Sequence, residues 1–437
     1  VAVDWEAIRC PTYVVGGLLD PYGAAIPRLL ANLIGPRKGL YGPWQHGYPS
    51  PATPGPGLDW AEEEVRWWRH WLVGEDTGIM AAPMLRVFMP QATAAQVSPG
   101  PIPGRWVEEA RWPSPNVRER GFFLGNGGLH DEPQGAETAQ CASTPVVGLG
   151  KIEWVPFAPT ELPREQSSDD ARSLVFGSPP LVGTVEILGI GSLRMRVAAD
   201  RPIAHLAIRL CEVTPDGRSW LVTWGLLNLT HRDGHAIPAP LEPGRFYDVE
   251  VPLAFTAHAF QAGSRIRAAI SESLWPLVWP SPEPVTLTLD LAAAELRLPV
   301  RDGSPGDDAM PIPLAPPQRP EPRTWPKLRV IEGNGRIQVT ETWPHSKREI
   351  TEIGETVIGA GPDISLTMSD GNPSSCVWRA LRTAGYSRSG WEVALRSEVA
   401  VSATREAFEV EERLTATLNG EPFADVPHRT RVARMLM

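Results

Sequence analysis

Hydrophobic and polar positions in the first 83 residues alternate between a strand-like and a helix-like pattern. Residues 12–17 are apolar, β-branched or glycine throughout, which is typical of a strand buried on both faces. An amphipathic helix is predicted at 24–33, a very short strand at 39–41 and a longer helix at 59–73. Strands and helices that alternate over short connections predict part of a parallel sheet covered by helices.

The helix predicted at 59–73 carries its own start and stop signals. Asp59, with Glu62 three residues later, matches a capping box, and Gly74 occupies the position of a C-terminal cap glycine. Five apolar residues lie at helical spacing, and we expect them to pack on the sheet as one broad face. They are Trp60, Trp67, Trp68, Trp71 and Leu72.

After residue 83 the pattern changes to short alternating segments separated by turn signals, with no long helix. The turn Pro215-Asp216-Gly217 lies between two such segments and predicts a hairpin. The 47 prolines, roughly twice the usual 5%, suit strand ends and loops. The segments predict a jelly-roll β-sandwich over 84–300. We expect its strands near 84–89, 121–124, 173–176, 184–188, 193–198, 204–213, 219–229, 246–253, 265–271 and 285–289.

The remaining residues form a proline-rich linker at 301–323 and a second β-rich region at 324–437. Within this region, Gly333-Asn334-Gly335 separates two alternating segments, at 328–331 and 336–341, and predicts another hairpin. We expect this region to be a small accessory β domain. Its last residues, 430–437, have little apolar surface to pack, and we expect them to fray.

Composition and charge exclude several classes of protein. The net charge of −10 argues against nucleic acid or a membrane surface as a partner. The sequence contains no run of about 18 apolar residues, the length that a membrane span requires. We expect a cytoplasmic protein; an export signal would lie upstream of residue 1, so its absence from these residues says little about the compartment. Four scattered cysteines fit neither a disulfide framework nor a zinc site, and we expect free core thiols. A homo-oligomer remains open.

Two polar residues follow the first two predicted strands. Asp20 comes three residues after the strand at 12–17, and His46 ends the segment Gly42-Pro43-Trp44-Gln45-His46. Either residue alone is typical of a turn or a loop. Together they lie at the carboxyl ends of neighbouring parallel strands, where open α/β sheets build their sites. An Asp–His pair in this order matches the last two members of a Ser-Asp-His triad.

A resemblance to a known family extends over roughly residues 1–300. The segments around Asp20, His46 and the tryptophan-rich helix resemble the cocaine-esterase/X-Pro dipeptidyl-peptidase family of serine hydrolases. In that family the aspartate after the strand and the Gly-Pro-Trp-x-His histidine are triad members. The resemblance implies a fold of the α/β plus all-β class: a partial α/β-hydrolase sheet over 1–83, a jelly-roll sandwich over 84–300 and an extra β domain. The matching segments are 11–20, 42–46, 66–78, 83–88, 104–106, 111–113, 122–124, 173–176, 215–217 and 262–267.

The chain departs from the family pattern at the nucleophile. No Gly-x-Ser-x-Gly occurs anywhere in the sequence, and the family carries this motif upstream of the aspartate. We therefore expect a missing upstream segment or a partner chain to supply the serine and the oxyanion donors, and this chain alone to be inactive. The substrate implied is a small ester or peptide, and the chemistry requires no metal or organic cofactor. Trp44, Trp275 and Trp279 are candidate substrate contacts.

Two other features have plainer explanations than a functional site. His231 and His235 have a spacing that could bind a metal on a helix, but Asp233-Gly234 between them favours a solvated loop. The acidic run at 302–308 lacks the ligand spacing of a calcium loop and is typical of a linker. The alternative to a hydrolase is a non-catalytic jelly-roll binding module with carbohydrate as one candidate ligand, in which case exposed Trp275 or Trp279 would matter.

Overall fold

The chain forms four β-sheets over the residues that the computed structural model describes. Those residues are 3–20, 22–50, 54–92, 101–135, 137–142, 144–149, 165–303, 307–308, 312–314, 327–351 and 354–437. Most of the predicted linker at 301–323 lies outside them. The predicted fold class is confirmed, because a partial α/β sheet is followed by a β-sandwich and a further β-sheet.

The first sheet is a small mixed sheet with one helix on each face. Its strands run in the order β1 (Thr12–Gly17), β2 (Arg37–Gly42), β3 (Leu85–Pro90) and β4 (Gly104–Glu109). The first three strands are parallel and β4 is antiparallel, so the sheet continues past residue 83. The helices are α1 (Ala25–Asn32) and α2 (Trp60–Trp68), which continues as a π-helical turn at Arg69–Val73. Single 3₁₀ turns occur at Trp5–Ala7, Ile79–Ala81 and Leu229–His231.

The tryptophan-rich helix does not bury all the residues expected to form one face. Trp67 is buried and its ring lies 5.3 Å from that of Tyr13 on β1. Trp68 and Leu72, however, are 48% and 75% exposed. The reason is geometric, because each residue turns the helix by about 100° and the sheet contacts only one side. Gly74 ends the helix at φ +81°, as predicted, whereas the Asp59 side chain forms no capping hydrogen bond.

A two-sheet sandwich forms the middle of the chain and contains its largest core. The first sheet of the chain packs on this sandwich, since Ile26, Tyr41 and Val87 share a core with Leu188 and Ala257. One sandwich sheet contains β5 (Val117–Gly125), β6 (Gly128–His130), β7 (Thr138–Cys141), β9 (Val185–Gly189), β10 (Ser192–Ala199), β13 (Tyr247–Pro252), β14 (Thr256–Phe260) and β16 (Leu287–Arg301). The other contains β8 (Leu174–Gly177), β11 (His205–Val213), β12 (Ser219–Asn228) and β15 (Arg265–Ser271), and a helical turn, α3 (Ser167–Asp170), precedes β8.

The C-terminal residues form one large antiparallel sheet. It begins with β17 (Lys327–Gly333) and β18 (Arg336–Thr342), whose connecting turn has φ +54° at Asn334 and φ +67° at Gly335, the positive values that a tight hairpin requires. The predicted hairpin is therefore confirmed. The strands are β17 (Lys327–Gly333), β18 (Arg336–Thr342), β19 (His345–Ile350), β20 (Glu355–Ser369), β21 (Asn372–Arg388), β22 (Trp391–Ala403), β23 (Ala407–Leu418) and β24 (Glu421–Ala433).

The last residues of the chain are held against the sandwich, and the prediction that they fray is wrong. Arg434 is 2% exposed, and its Nε donates to the carbonyl of Met437 at 2.6 Å. The carbonyl of Leu436 accepts hydrogen bonds from Asn228 and Thr230. These contacts join residues about 200 positions apart in sequence, which a local pattern cannot anticipate.

The four cysteines are free, as predicted, but they are not all in the core. Cys141, Cys211 and Cys376 are buried, whereas Cys10 is exposed. Burial raises the pKa of the Cys211 thiol to about 12 and that of Cys376 to about 11. These two thiols are therefore inert at neutral pH.

The buried Glu272 carboxyl should make the folded chain less stable as the pH rises. It follows β15, it is 4% exposed, and burial raises its pKa from 4.5 to about 8. Between these values the folded chain holds a proton that the unfolded chain has lost. The free energy of unfolding therefore falls with rising pH, by at most roughly 1.4 kcal/mol per pH unit. Glu272→Gln stays neutral and should flatten this slope in urea unfolding between about pH 5.5 and 7.5. An unchanged slope would contradict the assignment.

Candidate active site

The candidate site lies where β1 and β2 end side by side. The two strands are parallel and in register, with Gly17 opposite Gly42. The chain leaves β1 through a turn to Asp20 and leaves β2 through a loop to His46. There His46 Nδ1 lies 2.9 Å from Asp20 Oδ2. The structure therefore brings together the two residues that the sequence singles out, although their catalytic role remains a prediction.

Backbone hydrogen bonds hold the aspartate turn against the histidine loop. Leu18 N–H donates to the carbonyl of Gly42 at 2.9 Å, and Leu19 N–H donates to that of Trp44 at 3.0 Å. The other carboxylate oxygen of Asp20, Oδ1, accepts a hydrogen bond from the Tyr22 N–H at 2.8 Å. The contacts within its own turn thus fix the Asp20 carboxylate independently of its contact with the imidazole.

Gly17 is required for this close approach. A Cβ at position 17 would lie 1.9 Å from the carbonyl oxygen of Trp44, a backbone atom that cannot move aside without displacing the loop. The loop that carries His46 can therefore cross β1 only over a glycine. The signal in the sequence is the pair Gly16-Gly17, which ends the first strand.

The two side chains differ in exposure, as an acid–base pair requires. The Asp20 side chain is 11% exposed, whereas that of His46 is 47% exposed. The ring of Tyr22, itself exposed, lies 5.4 Å from the imidazole, a neighbour that the sequence reasoning did not identify. A shielded carboxylate can orient the ring through Nδ1 and stabilise the imidazolium, while the exposed ring can exchange a proton with a reacting group.

A cleft between the first sheet and the sandwich is lined by the two residues that precede Asp20 in its turn, although neither Asp20 nor His46 lines it. Leu18, Leu19 and Pro43 form one wall, and Trp220 and His258 of the sandwich contribute to the other. His258 Nε2 lies 2.7 Å from Glu212 Oε2, and both side chains are almost completely buried. The hydrogen bond to His258 holds the pKa of Glu212 below its usual value against the opposing effect of burial. The sequence reasoning missed this pair, because its members lie 46 residues apart.

The tryptophans predicted to contact substrate pack inside the protein. Trp44 and Trp275 are each 1% exposed. Trp44 Nε1 donates to the carbonyl of Pro56, and Trp275 Nε1 donates to Cys376 Sγ at 3.3 Å. Trp279 is partly buried against Phe408, with ring centroids 5.5 Å apart. Trp44 and Trp275 therefore offer no surface to a substrate, and Trp275 is not exposed as carbohydrate binding by this residue would require.

The remaining candidate features form no further site among the described residues, which do not include 304–306 of the acidic run. His231 and His235 contact each other, with Nδ1 atoms 3.0 Å apart on an exposed loop. Among the described residues, no group of three or more histidine, cysteine or acidic side chains could hold a metal ion. Asp307 of the acidic run accepts hydrogen bonds from Arg301 instead. None of the helices in the described part of the chain is both long and apolar enough to cross a membrane.

Comparisons with known proteins agree with this architecture. Cocaine esterase from Rhodococcus sp. (strain MB1 Bresler) is 24% identical over 226 residues, which cover 48% of this chain and 37% of the esterase. The chain spans less than half the length of the curated relatives that it matches.

Solved structures share the fold. A crystal structure of an aminopeptidase from the marine sediment archaeon Thaumarchaeota archaeon has a TM-score of 0.54 at 18% identity. The aligned part covers 67% of this chain and 55% of the aminopeptidase chain. An α-amino acid ester hydrolase has a TM-score of 0.53 at 19% identity, and the aligned part covers 67% of this chain and 56% of the hydrolase chain. At this identity the likeness concerns the fold alone.

A family comparison matches the middle of the chain. The X-Pro dipeptidyl-peptidase C-terminal non-catalytic domain matches residues 77–305, which include β3 to β16. The match thus begins at the end of the tryptophan-rich helix and extends through the whole sandwich. Because it covers more than half of the 437 residues, the chain belongs to this family, that of the cocaine-esterase and X-Pro dipeptidyl-peptidase type of protein.

Proposed function

We propose that this chain is the C-terminal part of a serine hydrolase that cleaves esters or amides through an acyl-enzyme. The observation that carries the proposal is the 2.9 Å contact between Asp20 and His46 at the ends of adjacent parallel strands. His46 would take the proton of a serine hydroxyl as the oxygen attacks the carbonyl carbon, and would then return it to the leaving group. Asp20 would hold the imidazole in the required tautomer.

The serine and the oxyanion donors would come from a segment outside this sequence. Two features support a docking surface for that segment. In the described part of the chain, the outer edge of β1 pairs with no strand, and such an edge is a template for further pairing. On α2 and the turn after it, Val65, Trp68 and Leu72 lie at helical spacing and are 53%, 48% and 75% exposed. An apolar stripe of this kind is typical of a surface that another element covers.

Labelling with a serine-directed fluorophosphonate tests the proposal. The chain alone should show no labelling that depends on His46, because it carries no nucleophile motif. After addition of the polypeptide encoded immediately upstream of residue 1 in the gene, a serine of that polypeptide should become labelled. The mixture should also hydrolyse p-nitrophenyl esters. Labelling of a serine in this chain alone, or a folded complex without labelling or hydrolysis, would contradict the proposal.

A further inference from the structure

A short segment after the sandwich returns to the first sheet before the C-terminal sheet begins. The strand β16 ends at Arg301, and residues 307–308 and 312–314 then lie against the first sheet. We call these residues the strap. They follow the stretch 77–305 that matches the family domain, and they lie in the segment predicted to be a linker. Neither the family nor the sequence pattern therefore explains why the strap is held in place.

Hydrogen bonds fix the first end of the strap at β4, the last strand in the order of the first sheet. The Asp307 carboxylate accepts hydrogen bonds from the Arg301 guanidinium at 2.6 and 2.9 Å. The Asp308 N–H donates to the carbonyl of Trp106 on β4 at 3.0 Å. Asp308 itself has φ +67°, the left-handed conformation of a turn. The strap therefore starts from a buried guanidinium and from the backbone of a strand.

The second end of the strap is bonded to the loop that carries His46. This loop connects β2 to α2. The carbonyl of Pro313 accepts a hydrogen bond from the Asp59 N–H at 2.8 Å, immediately before α2 begins. Leu314 forms an antiparallel bridge with Leu58, the residue before Asp59. The strap thus connects β4 to the loop that begins at the end of β2.

Ile312 brings an apolar side chain of the strap into a core of the first sheet. It is 3% exposed, whereas Leu314, two residues later, is 54% exposed. The other buried members of this core are one side chain from each of three strands and two from the loop. They are Leu40 of β2, Phe88 of β3, Trp106 of β4, and Trp44 and Leu58 of the loop. Removing the Ile312 side chain would therefore leave a cavity in the core that buries the loop.

Trp44 connects this core to the candidate pair. Its ring is buried, and the ring centroid lies 6.2 Å from that of Trp106. Its carbonyl accepts a hydrogen bond at 3.0 Å from the N–H of Leu19, the residue before Asp20. His46 follows Trp44 by two residues. A displacement of Trp44 would therefore disturb both the turn that carries the aspartate and the loop that carries the histidine.

We propose that Ile312 is a positioning residue of the hydrolase. By closing the core around Trp44, it holds the turn and the loop that carry the candidate pair. The inference rests on the proposed function, since it concerns the same pair. Proton transfer requires the imidazole at hydrogen-bonding distance from the serine, and a misplacement of about 1 Å can cost about a hundredfold in rate. A residue that only stabilises the fold would leave kcat of the folded protein unchanged.

Substitutions at two positions of the strap test the proposal by kinetics. In the mixture with the upstream polypeptide, Ile312→Ala should lower kcat for a p-nitrophenyl ester by about 10- to 100-fold and change KM by less than about twofold. Leu314→Ala removes the same number of carbons from an exposed side chain and leaves the backbone bridge in place, so kcat should stay within about threefold. Ile312→Val retains most of the buried volume and should lose less than about fivefold.

Hydrogen exchange measured by mass spectrometry tests the same contacts without a substrate. In Ile312→Ala, peptides that cover residues 18–20 and 44–46 should exchange at least about tenfold faster than in the unmodified chain, because the Leu19–Trp44 hydrogen bond opens more often. Peptides from β11 in the sandwich should be unchanged. The measurement is made on the chain alone and on the mixture, with Leu314→Ala as the control, and far-UV circular dichroism establishes whether each variant is folded.

The outcomes separate this inference from the proposed function. An active mixture in which Ile312→Ala and Leu314→Ala have the same kcat would overturn the inference alone, and so would unchanged exchange at residues 18–20 and 44–46 in folded Ile312→Ala. If Ile312→Ala does not fold, Ile312→Val takes its place, and exchange no faster than in Leu314→Ala overturns the inference. An unmodified mixture that hydrolyses no ester contradicts the proposed function instead, and the exchange measurement then decides whether Ile312 holds the turn and the loop.

Discussion

His46→Ala should lower kcat/KM of the reconstituted hydrolase for a p-nitrophenyl ester by at least about a thousandfold. Without the imidazole, no group at this position can accept the proton of the attacking hydroxyl. Asp20→Asn should lower kcat by about 10³- to 10⁴-fold, because an amide donor at the same position favours the wrong tautomer of the ring. Both losses should fall mainly on kcat, since neither residue is expected to contribute to ground-state binding.

A matched control comes from a second histidine of the same domain. His70 lies in the turn after α2, where its Nδ1 contacts the carbonyl of Glu75, away from the Asp20–His46 pair. His70→Ala should leave the rate within a few-fold of the unmodified value. If His46→Ala hydrolyses the ester as fast as His70→Ala in a folded complex, the assignment of the triad histidine is wrong.

Arg301→Met should destabilise the chain by about 3–5 kcal/mol, as expected when one partner of a buried ion pair is removed. The Arg301 side chain is fully buried at the end of β16, and its Nε donates to Glu109 Oε1 of β4 at 2.6 Å. Its Nη atoms contact Glu186 and Asp307. One guanidinium thus connects the first sheet to the sandwich, and methionine would leave Glu109 buried without a counter-charge.

The same substitution on the same strand provides the control. Arg297 pairs with Glu119 and Glu295 at the surface of β16, so Arg297→Met should cost less than about 1 kcal/mol. Urea unfolding monitored by tryptophan fluorescence measures both. Adding Glu109→Gln to Arg301→Met should recover part of the loss, because it removes the uncompensated charge. Equal costs for the two arginines would contradict a special role for Arg301.

Local features were predicted well because their causes lie within a few residues. The strand at 12–17 is a continuous apolar run, and β1 has these bounds. The turn at Pro215-Asp216-Gly217 joins β11 and β12 as expected, with φ +85° at Gly217. The positions of Asp20 and His46 after two predicted parallel strands, together with their chain order and the family motifs around them, were also enough to single out the candidate pair.

The errors concern burial, which depends on contacts that no local pattern contains. Trp275 belongs to the core because Cys376, 101 residues later, lies against it. Trp68 is exposed because the sheet reaches only one side of its helix. The Arg301–Glu109 pair spans 192 residues, and neither residue is distinguished by its neighbours in the sequence.

By itself, the sequence determined the strand and turn positions, the fold class and the two residues of the candidate pair. Hydrophobic periodicity and turn chemistry act over short distances and can therefore be recognised along the chain. Only the tertiary structure decided that Asp20 and His46 are in contact, that Gly17 must be a glycine for this contact to form, and which tryptophans are buried. Each of these depends on the packing of distant segments, whose free energy belongs to pairs of surfaces rather than to any one stretch of residues.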